Sequence, residues 1–404
     1  MLLTMPASLD AAAPPPAGPR PKLIFLVTED WYFWSHRLPA ARAARDAGFE
    51  VNVATRVREH GERILGEGFR LHPLPWRRRG DGLFGAMRAV ATIAALYRRE
   101  CPDLVHHVAL KPVLFGATAL HLAFPGGRRR PTAIAAIAGF GSEFAAASGF
   151  TRMKRRLLGQ ALRLLAGDDR VIVQNREDGA ALVAAGIDAA RLLLIGGSGV
   201  DTAHFAPLPE PAGPEATVAL VARMLRSKGV LDAVEAVRRL RAEGSQIRLL
   251  LVGPIDPDNR QSLDDRDLAG LTAAPGVKWL GRVADVREIW RRAAIGVLPS
   301  TYGEGVPKAL LEAAACGRPI VATDMPGCRA VVRNGETGLL VPPGDIAALA
   351  AALARLAGDP ALRRAMGAAG RALVEREFAD ERVARDTLAL YRDRLRERSA
   401  AARC

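Results

Sequence analysis

Short apolar runs alternate with stretches of helical periodicity along most of this chain. The first two runs are Lys22–Val27 and Phe49–Thr55, and similar ones stand near 104–108, 132–137 and 171–174. Runs of this length predict buried strands, and the amphipathic stretches between them predict helices. Regular alternation of the two predicts a parallel sheet with helices on both faces.

A second series of the same kind follows a proline-rich break at Pro207–Pro214. Asp345 is placed to cap an Ala- and Leu-rich helix, and a last helix is predicted after Phe378–Asp380, to about residue 398. We therefore predict an α/β chain of two Rossmann-like, doubly wound domains that face each other across a cleft, with ligands at the carboxyl ends of the strands. The strands of the second series are predicted near 217–222, 247–252, 277–280, 295–298, 319–322 and 339–341.

The predicted domain boundaries follow from these two series and from the composition of the segments around them. A disordered tail is expected at the start because its residues are mostly Ala and Pro. The last helix is expected to pack back toward the N-terminal domain. The predicted parts are the tail 1–21, an N-terminal domain 22–205, a linker 206–214, a C-terminal domain 215–380 and the last helix 381–404.

The composition is that of a globular protein without a membrane span. The chain has 404 residues, of which 49% are hydrophobic, and that is enough to form sizeable cores. No run of about 18 apolar residues is free of charges, and the first twenty residues lack the charged start of a signal peptide. The four cysteines have no metal-binding spacing, so we expect a cytoplasmic protein with reduced thiols.

The positive charge is concentrated in one part of the chain. The net charge is +14, and residues 77–170 alone hold 16 Lys and Arg against six Asp and Glu. Such runs are either a solvated face or a surface that adheres to anionic lipid. The stretch Arg152–Arg163 favours the second interpretation, because its leucines and its cations would lie on opposite sides of a helix. The same pattern also suits a helix that packs its leucines into the N-terminal core and leaves its arginines in solvent. Nucleic acid is not expected as a partner, since no nucleic-acid-binding motif is present.

Two glutamates frame the most informative segment, Glu304–Glu312. Pro307 suits the first position of a helix, so the loop before it would present backbone N–H groups at a positive helix end. Phosphate at those groups and hydroxyls at Glu304 and Glu312 would together describe a nucleotide-sugar. Lys308 and Glu312 are four residues apart, however, and also suit an ordinary surface pair on a helix.

Two cations follow the first strand of the second series. Arg223 and Lys228 lie where that strand passes into a helix, and such residues are also common at an ordinary helix start. Familiar alternatives for cofactor or catalytic chemistry are missing from the sequence. No G-x-G-x-x-G follows the first strand, and the chain has no phosphate-binding Walker loop, no G-x-S-x-G and no His or Cys pair at metal spacing.

These segments together resemble the donor-binding region of retaining glycosyltransferases of family 4, which have the GT-B fold. The resemblance implies that Glu304, the expected catalytic residue, contacts the donor sugar, and that Glu312 contacts the ribose. It also implies that Arg223 and Lys228 bind the diphosphate of the donor, without a metal. The remaining donor-binding residues that it implies are Gly253, Arg282, Val283, Gly305, Val306 and Pro307.

The N-terminal half resembles a bacterial subgroup of this family that builds lipid-linked oligosaccharides and surface polysaccharides. Its first loop, Glu29–Arg37, is rich in aromatic residues and lacks the glycine pair of many members. The resemblance implies an acceptor side that includes Ser35, His36 and His107, although histidines and aromatic residues at such positions are also common in protein cores. Many members have a histidine where Ala138 stands here.

The resemblance implies a retaining, metal-independent enzyme with no resident cofactor. It would transfer a sugar from a UDP-sugar to an acceptor hydroxyl, on a polyprenyl-diphosphate-linked glycan at the inner face of the membrane. The protein is then expected to be cytoplasmic and peripheral, with an anionic membrane surface as a partner. Two alternatives stay open: a nucleotide-sugar epimerase of the same fold, and a non-catalytic protein that binds an anionic surface.

Overall fold

The computed structural model describes residues 20–76, 82–126, 130–137, 139, 159–160, 169–213 and 215–401. Most of the predicted tail, the cluster Arg77–Arg79 and nearly all of the stretch Arg152–Arg163 lie outside these described residues. The described residues form two compact units. The first comprises those of 20–139, 159–198 and 381–401, and the second comprises those of 199–380.

The strands of both units follow the apolar runs of the sequence. Those of the first unit are β1 Lys22–Glu29, β2 Glu50–Arg56, β3 Arg70–Pro73, β4 Leu104–Val108, β5 Thr132–Ile137, β6 Arg170–Val173 and β7 Leu192–Leu194. Those of the second unit are β8 Ala216–Val221, β9 Ile247–Val252, β10 Val277–Trp279, β11 Ile295–Leu298, β12 Ile320–Thr323 and β13 Gly338–Val341.

Helices connect these strands in both units. The earlier ones are α1 Asp30–His36, α2 Leu38–Asp46, α3 Gly61–Gly66, α4 Gly82–Glu100, α5 Leu110–Ala123, α6 Arg176–Ala184 and α7 Val230–Ala242. The later ones are α8 Asp265–Thr272, α9 Arg287–Arg292, α10 Lys308–Ala315, α11 Pro326–Val331, α12 Ile346–Gly358, α13 Pro360–Glu377 and α14 Asp380–Ala401. Short 3₁₀ turns lie at Ala189–Arg191 and Arg226–Lys228.

Each unit has a parallel sheet covered on both faces. The strand orders are β3-β2-β1-β4-β5-β6-β7 and β10-β9-β8-β11-β12-β13. In β1, Leu23 and Phe25 join one apolar cluster, whereas Ile24 and Leu26 join another. Because successive side chains of a strand point to opposite faces, a strand covered on both faces reads as a continuous apolar run. The predicted α/β class rests on this pattern.

The sequence pattern misses the two edge strands of the first sheet. β3 is largely exposed and β7 has only three residues, so neither produces a recognisable apolar run. Serine is a common helix cap, and the sequence predicts that Ser35 caps the helix after the first loop. This prediction is wrong, because α1 already begins at Asp30 and contains Ser35. The predicted cap at Asp345 is confirmed, because its carboxylate accepts a hydrogen bond from the Ala348 backbone N–H.

The last helix, α14, completes the core of the first unit. Its Tyr391 is fully buried, packs against Phe25 of β1 and shares a hydrogen bond of 2.6 Å with Nδ1 of His106 in β4. Burial lowers the pKa of His106 well below its usual value, and the Arg37 guanidinium lowers it further. Both partners of the hydrogen bond are therefore neutral.

The proline-rich segment predicted as a linker packs onto the second unit. Arg318 is buried and its guanidinium donates to the Pro209 carbonyl, while Glu210 forms an ion pair with Arg363 of α13. The division between the units falls after Ser198, earlier along the chain than the proline-rich segment. Proline composition marks a break in secondary structure here, but side-chain contacts decide the unit to which the segment belongs.

Candidate functional site

The second unit gathers its candidate residues at the carboxyl ends of adjacent strands. Arg223 and Lys228 follow β8, and the segment with Glu304 follows β11, which pairs directly with β8. Gly253 follows β9 and Arg282 follows β10, on the other side of β8. Since all these strands are parallel, the loops after them lie at one edge of the sheet, where α/β folds bind ligands.

Lys228 and Glu304 form an ion pair at this edge. The Lys228 ammonium donates to Glu304 Oε2, and both side chains are 13% exposed. Ser300 Oγ donates to the other carboxylate oxygen, Oε1. Thr323, the last residue of β12, in turn donates to the Ser300 carbonyl at 2.6 Å. Glu304 is therefore held at both oxygens, and its charge is balanced by a cation within the same site.

Arg223 also has an acidic partner. Its guanidinium donates to Asp256, whose backbone N–H donates at 3.0 Å to Ser262 Oγ. The sequence predicted two cations without carboxylates opposite them, and the structure gives one to each. Asp256 and Ser300 were missed, although both follow predicted strands at the ligand-binding edge, and that position is the signal that could have identified them.

Glu312 differs from Glu304 in having no such partner. It lies in α10, is partly buried, and receives no hydrogen bond at its carboxylate from any described residue. Burial raises the pKa of Glu312 to about 7, while the charge of Lys308 lowers it and that of Asp285 raises it. The alternative of an ordinary Lys308–Glu312 pair on the helix stays open, because the Lys308 charge acts on the Glu312 carboxyl. A partly buried carboxylate with open acceptor positions suits a ligand that brings hydroxyl groups.

The loop between Glu304 and α10 is enclosed. Gly305, Val306 and Pro307 are all buried. Pro307 is extended and immediately precedes the helix, which begins at Lys308, so the prediction that it occupies the first helical position is wrong by one residue.

Gly327 of α11 touches this loop from behind. A Cβ atom at position 327 would lie 1.6 Å from the Gly305 carbonyl oxygen and 2.6 Å from that of Glu304. No side chain can be accommodated there without a shift of the backbone that carries Glu304. The sequence reasoning missed Gly327, since only the folded loop brings it next to Gly305.

The loops after β9 and β10 join at a second close contact. Gly253 has φ 138°, and a Cβ there would lie 1.9 Å from the Ala222 carbonyl oxygen. Its N–H donates to the Gly281 carbonyl at 2.8 Å. This contact brings the predicted Gly253 beside the segment of Arg282, which is exposed, and Val283, which packs on the apolar core.

Cys328 adds a buried thiol close to the ion pair. Burial and, less strongly, the Glu304 charge raise its pKa, while Lys228 and a hydrogen bond with Thr323 lower it, and the outcome is a pKa of about 12. The thiol therefore stays protonated and unreactive at neutral pH. The Cys328 side chain packs in the apolar core of the second unit.

The candidate residues of the first unit are divided between a half-buried cluster and the core. Ser35 Oγ donates to the Trp31 carbonyl at 2.8 Å and lies 2.6 Å from His36 Nδ1, while the His36 ring stacks on Tyr32 at 4.2 Å. These side chains are partly buried, so a ligand can reach them.

His107 lies in the core of β4 and is 1% exposed. Its Nε2 is 2.9 Å from the Tyr97 hydroxyl, and a Cβ at Gly116 would lie only 2.4 Å from the same atom. Burial lowers the pKa of His107 to about 3, so the ring is neutral. In the described residues its contacts are those of a packed core residue.

Asp30 ties the end of β1 to the loop after β2. Its Oδ2 accepts three backbone hydrogen bonds, from Arg58, Glu59 and His60, at 2.7 to 2.9 Å. The neighbouring Glu29 is 3% exposed and lies 3.5 Å from Arg56 and 3.7 Å from Arg58. Sequence reasoning noted the aromatic residues of this loop but missed the structural role of its two acids.

The residues covered by the structure include no cluster of three or more His, Cys, Asp or Glu side chains that could hold a metal ion. The acidic stretch Asp264–Asp267 caps a helix. Asp264 accepts from the Asp267 backbone N–H and Asp267 reciprocates, so the two form the capping box of α8. None of the helices in the described part of the chain is long and apolar enough to span a membrane.

Comparison with known proteins places both units in related families. Residues 215–359 match the family model described as "Glycosyl transferases group 1", and residues 22–174 match "Glycosyl transferase 4-like". The two matches cover the cores of the two predicted domains.

Curated relatives include two bacterial proteins. The capsular polysaccharide biosynthesis glycosyltransferase CapM of Staphylococcus aureus is 29% identical over 180 residues, which are 45% of this chain and 47% of CapM. The chain thus spans about half the length of that relative. EpsD of Bacillus subtilis (strain 168) is 28% identical over 386 residues, which are 92% of this chain and 96% of EpsD.

Among solved structures, Anabaena Alr3699/HepE in complex with UDP and glucose superimposes with a TM-score of 0.75. It is 18% identical in sequence, and the match covers 92% of this chain and 99% of HepE. At this identity the likeness shows a shared fold.

Proposed function

The chain belongs to the group 1, family 4-like glycosyltransferases and has their GT-B fold, and we propose that it transfers a sugar from a UDP-sugar to an acceptor hydroxyl with retention of configuration. Its two Rossmann-like units agree with the predicted fold class. The observation that carries the proposal is the Lys228–Glu304 pair with Ser300, at the carboxyl edge of β8 and β11.

The cations of this edge would receive the diphosphate. A UDP-sugar brings two phosphates, and Lys228 and Arg223 are the basic side chains that follow β8. Each is balanced by a carboxylate in the described structure, so the donor would share these cations with Glu304 and Asp256. As the bond to the sugar breaks, negative charge grows on the diphosphate, and prepositioned cations stabilise it more in the transition state than in the bound donor.

The two glutamates would hold the sugars at either end of the diphosphate. Glu304 is fixed by Lys228 and Ser300, so it can orient a hydroxyl of the donor sugar without moving. Glu312 has open acceptor positions and suits the ribose hydroxyls. The proposed donor-binding set also includes Gly253, Arg282, Val283, Gly305, Val306 and Pro307. No metal ion or other cofactor is required in this scheme.

We propose that the acceptor is a growing glycan on a polyprenyl diphosphate, in the assembly of a surface polysaccharide. The name of CapM and the presence of UDP with HepE support the substrate classes, and the basic stretch 77–170 supports an anionic membrane surface as a partner. Ser35 and His36 are the proposed acceptor-side residues with partly exposed side chains, and His107, the third proposed residue, lies in the core. The enzyme would work at the cytoplasmic face as a peripheral protein.

A donor screen tests the proposal. Purified protein is incubated with UDP- and GDP-sugars, with and without a polyprenyl-diphosphate-linked acceptor, and the release of UDP or GDP is measured. We expect release of UDP that depends on the acceptor, together with an elongated glycan whose anomeric configuration matches the donor. Conversion of the UDP-sugar to its epimer without acceptor would instead identify an epimerase. Inverted product would contradict the retaining mechanism.

A further inference from the structure

Three large apolar side chains at the start of α4 are open to solvent. Leu83 is 76% exposed, Phe84 is 87% exposed and Met87 is 60% exposed. No other large apolar side chain among the described residues exceeds 55%. Single exposed leucines are normal on protein surfaces, but three such side chains within one helical segment form a patch that a soluble surface seldom carries without a partner.

The packing of α4 does not use these side chains. The helix is anchored to the first unit by another set of residues, which lie among the buried side chains of one apolar cluster: Ala89, Ile93, Ala94, Leu96 and Tyr97. Leu83, Phe84 and Met87 precede this set and project into solvent from the first two turns. Their apolar character is therefore not explained by the core.

The charge around the patch is positive. Arg88 is exposed and follows Met87 directly, and α4 contains no acidic side chain before its last residue, Glu100. The wider stretch 77–170 carries 16 basic residues against six acidic ones. Apart from Asp81, which precedes the helix, these apolar side chains stand among basic residues. This pattern matches the interface of an anionic bilayer, where the apolar groups enter the acyl boundary and the cations meet lipid headgroups.

We propose that Leu83, Phe84, Met87 and Arg88, here named the α4 tip, insert into the headgroup region of an anionic membrane. The inference rests on the proposed function in one respect, since a lipid-linked acceptor lies at such a surface. The tip occupies fewer than two helical turns, so insertion is shallow and reversible. The α4 tip consists of residues that the structure describes, whereas nearly all of the stretch Arg152–Arg163 lies outside them.

Vesicle flotation of the full chain tests the α4 tip. Vesicles of phosphatidylcholine mixed with phosphatidylglycerol are compared with vesicles of phosphatidylcholine alone. We expect wild type to bind the anionic vesicles, and Phe84→Ser to bind about tenfold or more weakly, because the most exposed apolar side chain is lost. Arg88→Gln should weaken binding mainly at low salt. Leu122→Ser is the matched control, because Leu122 is 55% exposed in the same unit, and its binding should equal that of wild type.

Three results would overturn the inference. One is equal binding of anionic vesicles by Phe84→Ser and wild type, and another is an equal loss of vesicle binding in Phe84→Ser and Leu122→Ser. The third is a wild-type dimer that becomes a monomer in Phe84→Ser while vesicle binding stays unchanged. The last would identify a second copy of the chain as the occupant. Transfer to a soluble acceptor analogue separates this inference from the proposed function. If Phe84→Ser keeps that activity and loses vesicle binding, the inference stands; if wild type binds vesicles but transfers no sugar, only the proposed function fails.

Discussion

Lys228 and Glu304 form an ion pair although 76 residues separate them in the chain. The pair exists because β8 and β11 are hydrogen-bonded neighbours, so the loops after them emerge side by side. Each residue is buried enough to depend on the other. A change at either residue should therefore affect both the stability of this edge of the sheet and the proposed transfer reaction.

Replacing Lys228 should reduce activity strongly. In Lys228→Ala the diphosphate loses a charge-assisted contact of about 1.5–3 kcal/mol, and Glu304 loses the cation that balances it. We expect transfer to fall at least about a hundredfold and the melting temperature to fall as well. Lys278→Ala, at an exposed lysine of β10, is the matched control. The double variant Lys228→Ala/Glu304→Gln should recover the melting temperature without recovering activity. Normal turnover in Lys228→Ala would disprove the proposed role of Lys228.

Glu312 should make donor binding depend on pH. Its carboxyl has a pKa of about 7, so it is largely protonated below that pH and ionised above it. Because only the ionised form accepts two ribose hydroxyls fully, affinity for a UDP-sugar should rise as pH increases through 7. The rise should be absent in Glu312→Gln and present in Glu288→Gln, an exposed control. Calorimetric titration with a UDP-sugar measures this; an unchanged pH profile in Glu312→Gln would rule out the ribose role.

Glu312 should also make the free energy of unfolding depend on pH, and this free energy should fall over the range in which donor affinity rises. Its folded pKa is raised above the unfolded value of 4.5, so the folded state binds the proton more tightly. The stability that it contributes is complete below pH 4.5 and is lost as pH rises to about 7. In Glu312→Gln the free energy of unfolding should change less with pH between 4.5 and about 7. Urea denaturation at several pH values across this range measures it. A parallel curve for Glu288→Gln and wild type serves as the control.

Gly327→Ala should disturb Glu304 without touching it directly. The new methyl group would meet the Gly305 carbonyl oxygen, so the loop must shift. We expect a loss of about 1–3 kcal/mol in the free energy of unfolding, as for overpacked sites, and a fall in kcat larger than the change in KM. Gly270→Ala in α8 is the control, because a Cβ there meets nothing within 4 Å. Wild-type kcat in Gly327→Ala would show that the loop position is not critical.

Activity should persist in EDTA. The proposed cations, Lys228 and Arg223, balance the leaving diphosphate without a divalent ion, and Asp264 and Asp267 are engaged in a helix cap. Transfer rates measured with chelator, and again after addition of magnesium or manganese, should agree. Loss of activity in EDTA with recovery on addition of metal would contradict the proposed mechanism.

Sequence alone determined the architecture of this protein. Buried strands such as β1 carry continuous apolar runs, and the loops after parallel strands must share one edge, so the position of Arg223, Lys228 and Glu304 at a ligand-binding edge could be predicted. The edge strands β3 and β7 could not, since one is exposed and the other has three residues. An apolar run in the sequence identifies a strand that is buried on both faces, but it gives no signal for a strand that is exposed or very short.

The tertiary structure decided the partners of these residues. Which carboxylate meets which cation depends on strand order and loop paths across many residues, so the sequence places Asp256 at the ligand-binding edge but does not reveal that it pairs with Arg223. The contrast between Glu304, held at both oxygens, and Glu312, open and with a raised pKa, depends on burial and neighbours that no spacing reveals. The exposure of Phe84 is of the same kind, because an apolar residue on a predicted helix is expected inside until the packing of the whole helix is known.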